Sequence, residues 1–279
     1  MELSIAVIAP GAMGSAVGRR LADRGATVLT ALDGRSDATR KRAEAAGMIG
    51  AEDTRIAAAD FILSIVPPGE AEAVARRLQG AIATTARKPV YVDCNAVNIQ
   101  TASRIAAIIA ESGAPFIDCA IIGGPPRSGL DGPSFYLSGE AANKAAPLAD
   151  LGLKIRILDA PNGAASALKM SYAGITKGLT ALACAMILGA ARAGAAEALH
   201  AELAESQPQL LERFERTLPE MFPKAYRWVA EMREISGFLA EDDAASMIYE
   251  GAARLYARLA EDVEGEQQEI GLLEKFLKP

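Results

Sequence analysis

Apolar residues follow two different rhythms along this 279-residue chain. Up to about residue 160, short β-branched runs alternate with amphipathic stretches, and beyond it almost every window has the helical period. The runs Leu3–Ile8, Thr27–Leu32, Phe61–Val66, Val90–Asp93, Phe116–Ile122, Ser134–Ser138 and Lys154–Leu158 predict strands. Ser15–Arg24, Glu70–Leu78 and Ile99–Glu111 predict helices between them. Strands separated by helices imply βαβ units and a mostly parallel sheet. The Gly129–Pro133 turn between two runs predicts that one later strand returns antiparallel. After Pro161-Asn162-Gly163 the pattern is helical to the end, opened by a long helix and punctuated by Pro208, Pro219 and Pro223. The predicted organisation is α/β plus all-α, with domains at 1–160 and 161–279.

The first run leads through Ala9-Pro-Gly11-Ala12-Met13-Gly14 into a helical pattern. A strand, a glycine turn and a helix N-terminus together aim free N–H groups and a positive dipole end at one point, which suits a dinucleotide pyrophosphate. The fingerprint is incomplete, since Ala9 stands where the first glycine is usual; Gly11 keeps the close-approach position and Gly14 the helix-packing position. The sheet is therefore expected to be a doubly wound Rossmann sheet.

About twenty residues on, the second run ends at Asp33-Gly34-Arg35-Ser36, where such a sheet meets the adenosine ribose. Asp33 suits a ribose 2′-OH, whereas Arg35 and Ser36 suit a 2′-phosphate, with Arg40, Lys41 and Arg42 adding positive potential. The balance favours NADP over NAD. Ser64-Ile-Val66-Pro67-Pro68 and Asp93-Cys-Asn95-Ala96 leave strand ends where a nicotinamide would lie.

Composition narrows the field. The net charge of −6 argues against a nucleic-acid partner. No apolar run approaches bilayer-spanning length, and the N-terminus has no basic leader, so neither membrane insertion nor secretion is expected. Cys94, Cys119 and Cys184 are too scattered for a zinc site or a disulfide framework; no metal is expected, and a reducing cytoplasm fits.

Two segments carry candidate chemistry. Asp118-Cys-Ala-Ile-Ile122-Gly123-Gly124 ends a strand in paired glycines, whose exposed N–H groups could hold a carboxylate. Gly163-Ala-Ala-Ser-Ala-Leu-Lys169-Met-Ser-Tyr172 opens the long helix, with Lys169, Tyr172 and Thr176 on one face. An ammonium among Leu, Ala and Met side chains gives up its proton more readily than one in water.

Together these motifs resemble the β-hydroxyacid dehydrogenase superfamily, which includes 6-phosphogluconate dehydrogenase. The resemblance covers the whole chain. Lys224–Met232 and Ile235–Leu239 are similar to a branch with a short helical C-terminal domain of the DUF1932 type. The resemblance implies a Rossmann domain and a helical domain joined by a long helix, substrate bound between them, and a homodimer formed through the helical domains. It also implies that Lys169 moves a proton at the substrate oxygen as hydride passes to or from nicotinamide. The chain departs from the family's pattern at Ile122, where a substrate-binding Ser is usual. It departs again at Tyr172-Ala173, where an Asn is usual. A bulkier or more apolar hydroxy/oxo compound than a simple hydroxy acid is thus expected.

The reading is an NADP-dependent oxidoreductase acting on a small hydroxy/oxo substrate, with Lys169 and Tyr172 catalytic and Ile122, Gly123 and Gly124 beside the substrate. An imine reductase on the same architecture is the chemical alternative, and a non-catalytic NADP-binding regulator the other. Trp228 and Arg227 are expected on a helix that lines the cleft or the dimer interface, with core packing the favoured role of Trp228. His200 is expected in solvent, and Glu231, Glu234, Glu241, Asp242 and Asp243 on a solvated surface.

Overall fold

A computed structural model describes residues 3–126 and 132–278. The chain forms two compact units, Met1–Lys169 and Met170–Pro279.

The first unit is one eight-stranded sheet: β1 Ser4–Ile8, β2 Thr27–Thr30, β3 Ile49–Gly50, β4 Phe61–Ser64, β5 Val90–Asp93, β6 Phe116–Ile122, β7 Ser134–Ser138 and β8 Lys154–Ile157. Its order is β3-β2-β1-β4-β5-β6-β7-β8. All neighbours are parallel except β6 and β7, which pair antiparallel from Asp118↔Ser138 to Ile122↔Ser134. That pairing is the one expected from the glycine-rich turn, although residues 129–131 of the turn itself lie outside the described residues. The strand order reverses between β1 and β4, and the loops leaving those two strands open side by side at the switch point, where doubly wound sheets bind ligands.

Alternation explains the layers. In β1, Ile5 and Val7 pack with Val17 and Leu21 of α1 (Ala12–Ala22), on the face that also takes Ala43 of α2 (Asp37–Ala45). Ala6 and Ile8 pack on the opposite face, with α3 (Asp53–Ala57), α4 (Ala71–Thr84) and α5 (Ile99–Ala110). A sheet covered on both faces needs near-continuous apolar strands, which is how Phe116–Ile122 reads. A short α6, Pro147–Asp150, precedes β8. Two-residue β3 is the strand the pattern does not reveal, for it is an exposed edge with a single β-branched residue. β4 stops at Ser64 rather than Val66, because the Val66 N–H leaves the ladder for a side chain.

Helix α7, Ala164–Arg192, begins in the first unit and runs into the second. The second unit adds α8 (Ala196–Ser206), α9 (Pro208–Met221), α10 (Ala225–Phe238), α11 (Asp243–Glu264) and α12 (Gln268–Leu277). Met170, Cys184, Leu188, Phe214, Met232, Tyr256 and Phe276 are among its buried core. Pro208 starts α9 as a first-turn proline, but Pro219 lies inside that helix and does not end it.

Three sequence expectations are corrected in this unit. By length and mean hydropathy (1.5) α7 alone among the described helices could cross a membrane, even though Lys169 and Lys177 interrupt its apolar run; 44% of its most apolar window is buried inside the protein. His200 is half-buried, its ring edge-on to Phe276 with centroids 5.4 Å apart, because α12 lays an aromatic over it. Glu231 is only 19% exposed and pairs with Lys177, whose ammonium also lies 4.9 Å from the centre of the Trp228 ring. Burial lowers the pKa of that lysine, with the Glu231 carboxylate opposing the shift.

Candidate functional site

β1, β4, β5 and β6 run parallel, so their carboxyl ends share one edge of the sheet. The glycine turn sits there. Gly11 caps α1 with no side-chain hydrogen bond, and no acidic residue occupies the helix's first turn. The Gly11 N–H donates to Ala9 O at 2.9 Å and the Ser15 hydroxyl to Gly11 O at 2.7 Å, which closes the turn. Ala9 is accommodated without a positive φ, since Gln267 is the only described non-glycine residue with one. A Cβ on Gly14 would lie 2.0 Å from Ala9 O, so only glycine lets α1 start so close to β1. A Cβ on Gly11 would meet nothing within 4 Å; packing inside the chain does not demand that glycine. The open face above Gly11, Ala12 and Met13, with an uncapped helix end and no acid in its first turn, fits a dinucleotide pyrophosphate.

At the second strand, Gly34 takes φ +67° and the Arg35 N–H donates to Leu32 O. Ser36 caps α2, its hydroxyl oxygen accepting from the Thr39 N–H at 3.4 Å. Arg35 is half-buried and Asp33 exposed. Arg42 donates to Pro10 O at 3.2 Å, which brings a guanidinium to the glycine turn itself. The sequence offered Arg42 only as background positive charge.

Beyond the switch point, Asn95 ties two loops together. Its Oδ1 accepts from the Val66 N–H at 2.7 Å, and its Nδ2 donates to Ser64 Oγ at 2.9 Å and to Asp93 Oδ1. Val66 and Asn95 are buried; Pro67 is exposed beside them. Burial and the facing Asp118 carboxylate push the Asp93 carboxyl up to about 7, against the opposing Asn95 hydrogen bond.

Asp118, fully buried in β6, is the hub that the sequence reading passed over. It accepts from Ser138 Oγ (2.9 Å), Gly163 N (2.9 Å), Ser166 N (3.0 Å) and Ser166 Oγ (2.7 Å). A carboxylate bonded to first-turn N–H groups complements the dipole of α7 and fixes where that helix starts. Gly163 makes the entry at φ +99°, where a Cβ would crowd Ile99 at 2.9 Å. One turn beyond Ser166, the half-buried Lys169 donates from Nζ to Ile121 O at 2.8 Å, at the carboxyl end of β6. Ile122 is half-buried next to it, and Gly123 and Gly124 are exposed, Gly123 at φ +123°. Tyr172, three residues after Lys169 on α7, is 51% exposed.

Cys94 and Cys119 are buried near this edge, and burial raises the Cys119 thiol well above its ordinary range, so it remains an unreactive thiol. Among the described residues no cluster of His, Cys, Asp or Glu could hold a metal ion.

The family model of the NAD binding domain of 6-phosphogluconate dehydrogenase matches residues 4–150, and that of a domain of unknown function, DUF1932, matches residues 190–259. An uncharacterised 28.5 kDa protein encoded in the 7S RNA 5′ region of Methanothermus fervidus is 34% identical over 157 residues. That stretch is 56% of this chain and 58% of the relative, so the match spans little more than half of it.

Among solved structures, the conserved protein MTH1747 is of unknown function and described as similar to 3-hydroxyacid dehydrogenases. It aligns at 28% identity and TM-score 0.71, over 94% of this chain and 98% of its own. The 3-hydroxyisobutyrate dehydrogenase of Mycobacterium tuberculosis aligns over all of both chains at 17% identity and TM-score 0.74. An imine reductase of Myxococcus stipitatus also covers both chains completely. Its V8 variant with NAD+ aligns at 19% identity and TM-score 0.61, and its NADP+ complex at 18% and 0.55. At these identities the last two proteins share the fold with this chain.

Proposed function

Because the chain belongs to the family built on the NAD-binding domain of 6-phosphogluconate dehydrogenase, we propose that it is an NADP-dependent oxidoreductase interconverting an alcohol and a carbonyl. Its substrate is a small hydroxy/oxo, acid-like compound, and Lys169 is the general acid/base. When bound, the nicotinamide cofactor supplies the hydride chemistry. The first-turn N–H groups of α1, from Ala12 to Gly14, hold the pyrophosphate over the open face of Gly11, and Val66, Pro67 and Asn95 hold the nicotinamide end. The N–H groups at Gly123 and Gly124 take the substrate carboxylate beside Ile122. Lys169 gives its proton to the carbonyl oxygen in reduction and takes it from the hydroxyl in oxidation.

One observation carries this reading. The Lys169 ammonium is bound to Ile121 O at the same sheet edge, in the same compact unit, as the uncapped glycine turn. Tyr172 offers a hydroxyl, a second proton donor, one helical turn on. Its presence, with Ile122 in place of a hydroxyl side chain, favours an imine substrate as the second reading. NADPH oxidation against a panel of hydroxy/oxo acids and cyclic imines separates the two, and turnover of neither class overturns both.

NADP is the favoured cofactor because Arg35 stands in the loop that follows β2 and Arg42 donates to Pro10 O in the glycine turn. Arg35→Ala is expected to weaken NADPH binding about 10–100-fold, the loss of a charge-assisted contact, with NADH affinity unchanged. Titration of NADPH and NADH fluorescence on the wild type and this variant reads both. Equal losses for the two cofactors would remove Arg35 from the 2′-phosphate site.

The second unit supports a homodimer. Tyr172, Ile175, Leu179, Leu182 and Met186 recur at alternating spacings of three and four along α7, the rhythm of a helix-packing seam. Ile175, Leu182 and Met186 are each more than half exposed. Beside this ridge, Gly174, Gly178, Ala181 and Ala185 line a groove against Tyr249, Ala252 and Leu255 of α11. A ridge and a groove on one surface are what two-fold self-association requires. Leu182→Asp is expected to convert a dimer to a monomer in sedimentation equilibrium, and a wild type already monomeric at micromolar concentration would refute the seam. The net charge of −6 supports a protein with no nucleic-acid partner, and three buried free cysteines fit a reducing, cytoplasmic setting.

A further inference from the structure

Asp93 is a carboxylic acid at the end of an otherwise apolar strand, 1% exposed, and the proposed reaction makes no use of it. Its Oδ1 accepts from Asn95 Nδ2, while its Oδ2 is buried with no hydrogen-bond partner. Asn95 is 4% exposed, and its amide has two orientations of nearly equal shape and opposite polarity. In the orientation present, Oδ1 meets the Val66 N–H and Nδ2 meets Asp93 and Ser64. The flipped amide would set its oxygen against the Asp93 oxygen and its NH2 against the Val66 N–H, opposing like groups at both ends. The Ser64 hydroxyl can donate or accept and does not choose between the two. Asp93 does choose: as a carboxylate it can only accept, and as an acid it makes the same choice while its proton is on Oδ2.

We infer that Asp93 is a positioning residue for cofactor binding: by fixing the orientation of the Asn95 amide, it fixes the backbone of Val66 at the carboxyl end of β4. The need is local and physical. Pro67 and Pro68 have no N–H groups, so Val66 is the last residue whose N–H can be tied down before the loop departs. β4 has already ended at Ser64, so no ladder bond holds it. This inference rests on the proposal that the Val66–Pro67 segment holds a nicotinamide cofactor.

Two variants of the full-length chain test it. Asp93→Leu removes the acceptor with a side chain of the same branching and heavy-atom count, and Asp93→Asn retains an acceptor oxygen. In the cofactor-free protein, Asp93→Leu is expected to raise hydrogen exchange at the Val66 amide by about 10-fold, with the Leu63 and Val92 amides unchanged. NADPH affinity, read by fluorescence titration, is expected to fall by about 10-fold in Asp93→Leu and to return to the wild-type value in Asp93→Asn. Val66 protection and NADPH affinity both unaltered in Asp93→Leu would overturn the inference. So would a loss in Asp93→Asn equal to that in Asp93→Leu, which would make the charge or general packing responsible. If Asp93→Leu does not fold, Asn95→Ala takes its place, with the same exchange and affinity losses expected and unaltered values again overturning the inference. A wild type that binds neither NADPH nor NADH refutes the cofactor reading instead, and Val66 exchange then still reports on the Asp93–Asn95 arrangement.

Discussion

Lys169→Ala is expected to lower kcat by about 10²–10⁴-fold, the usual contribution of a positioned general acid/base, while NADPH affinity stays within about twofold. The separation of the two effects follows from where the side chain is held. Lys169 donates to Ile121 O on β6, whereas the glycine turn and the Val66 loop leave β1 and β4. Truncating the lysine therefore removes an ammonium from the reacting end without touching a residue assigned to the dinucleotide.

Lys169→Arg sharpens the test. A guanidinium retains the charge and can still donate to a carbonyl, but it does not give up a proton at any pH the fold tolerates. If proton transfer is the role, Lys169→Arg should be nearly as slow as Lys169→Ala. If the role is only to hold Ile121 and neutralise a substrate charge, Lys169→Arg should recover most of the rate. Steady-state kinetics on whichever substrate the panel identifies decides between them, and full activity in Lys169→Ala would remove the residue from the chemistry.

Much of this arrangement is legible in the sequence because strong local signals and long-range geometry agree. Leu3–Ile8 followed by Gly11 and Gly14 specifies a strand, a turn and a helix whose separation only glycine at 14 permits. The βαβ rhythm then fixes a parallel sheet, and a parallel sheet brings the ends of β1, β4, β5 and β6 to one edge without further information. What the rhythm does not carry is side-chain pairing across strands. Asp93 and Asp118 stand directly opposite in the β5–β6 register, twenty-five positions apart in the chain, and each then turns to a different loop. The available signal was an acid inside an apolar run, in Val90–Asp93 and again in Phe116–Ile122. A carboxylate buried there must find donors, and the sequence does not say which. His200 and Glu231 were misjudged for the related reason that charged neighbours in sequence do not show whether another helix covers them.

Asp118→Ala is expected to be the most destabilising single substitution in the first unit, by about 3–5 kcal/mol, because it strands donors that no water can reach. Ser138 Oγ, Gly163 N and Ser166 N would all be left without this acceptor, and the start of α7 would lose the anion that complements its dipole. Urea unfolding followed by circular dichroism reads the loss; a change below about 1 kcal/mol would mean that the hub is dispensable.

Asp118→Asn adds a dependence on pH. The Asp93 carboxyl is raised to about 7 from an ordinary 3.8, first by burial and then by the facing Asp118 charge. The folded state thus keeps a proton that the unfolded chain has already lost, and this contribution to stability is present at low pH and disappears as pH rises through about 7. Removing the Asp118 charge leaves Asp93 easier to ionise, which weakens that loss. The stability deficit of Asp118→Asn relative to wild type should therefore be smaller at about pH 8 than at about pH 5.5. A deficit that is constant or grows with pH would mean that the two carboxyls do not sense one another, and that burial alone sets the Asp93 proton.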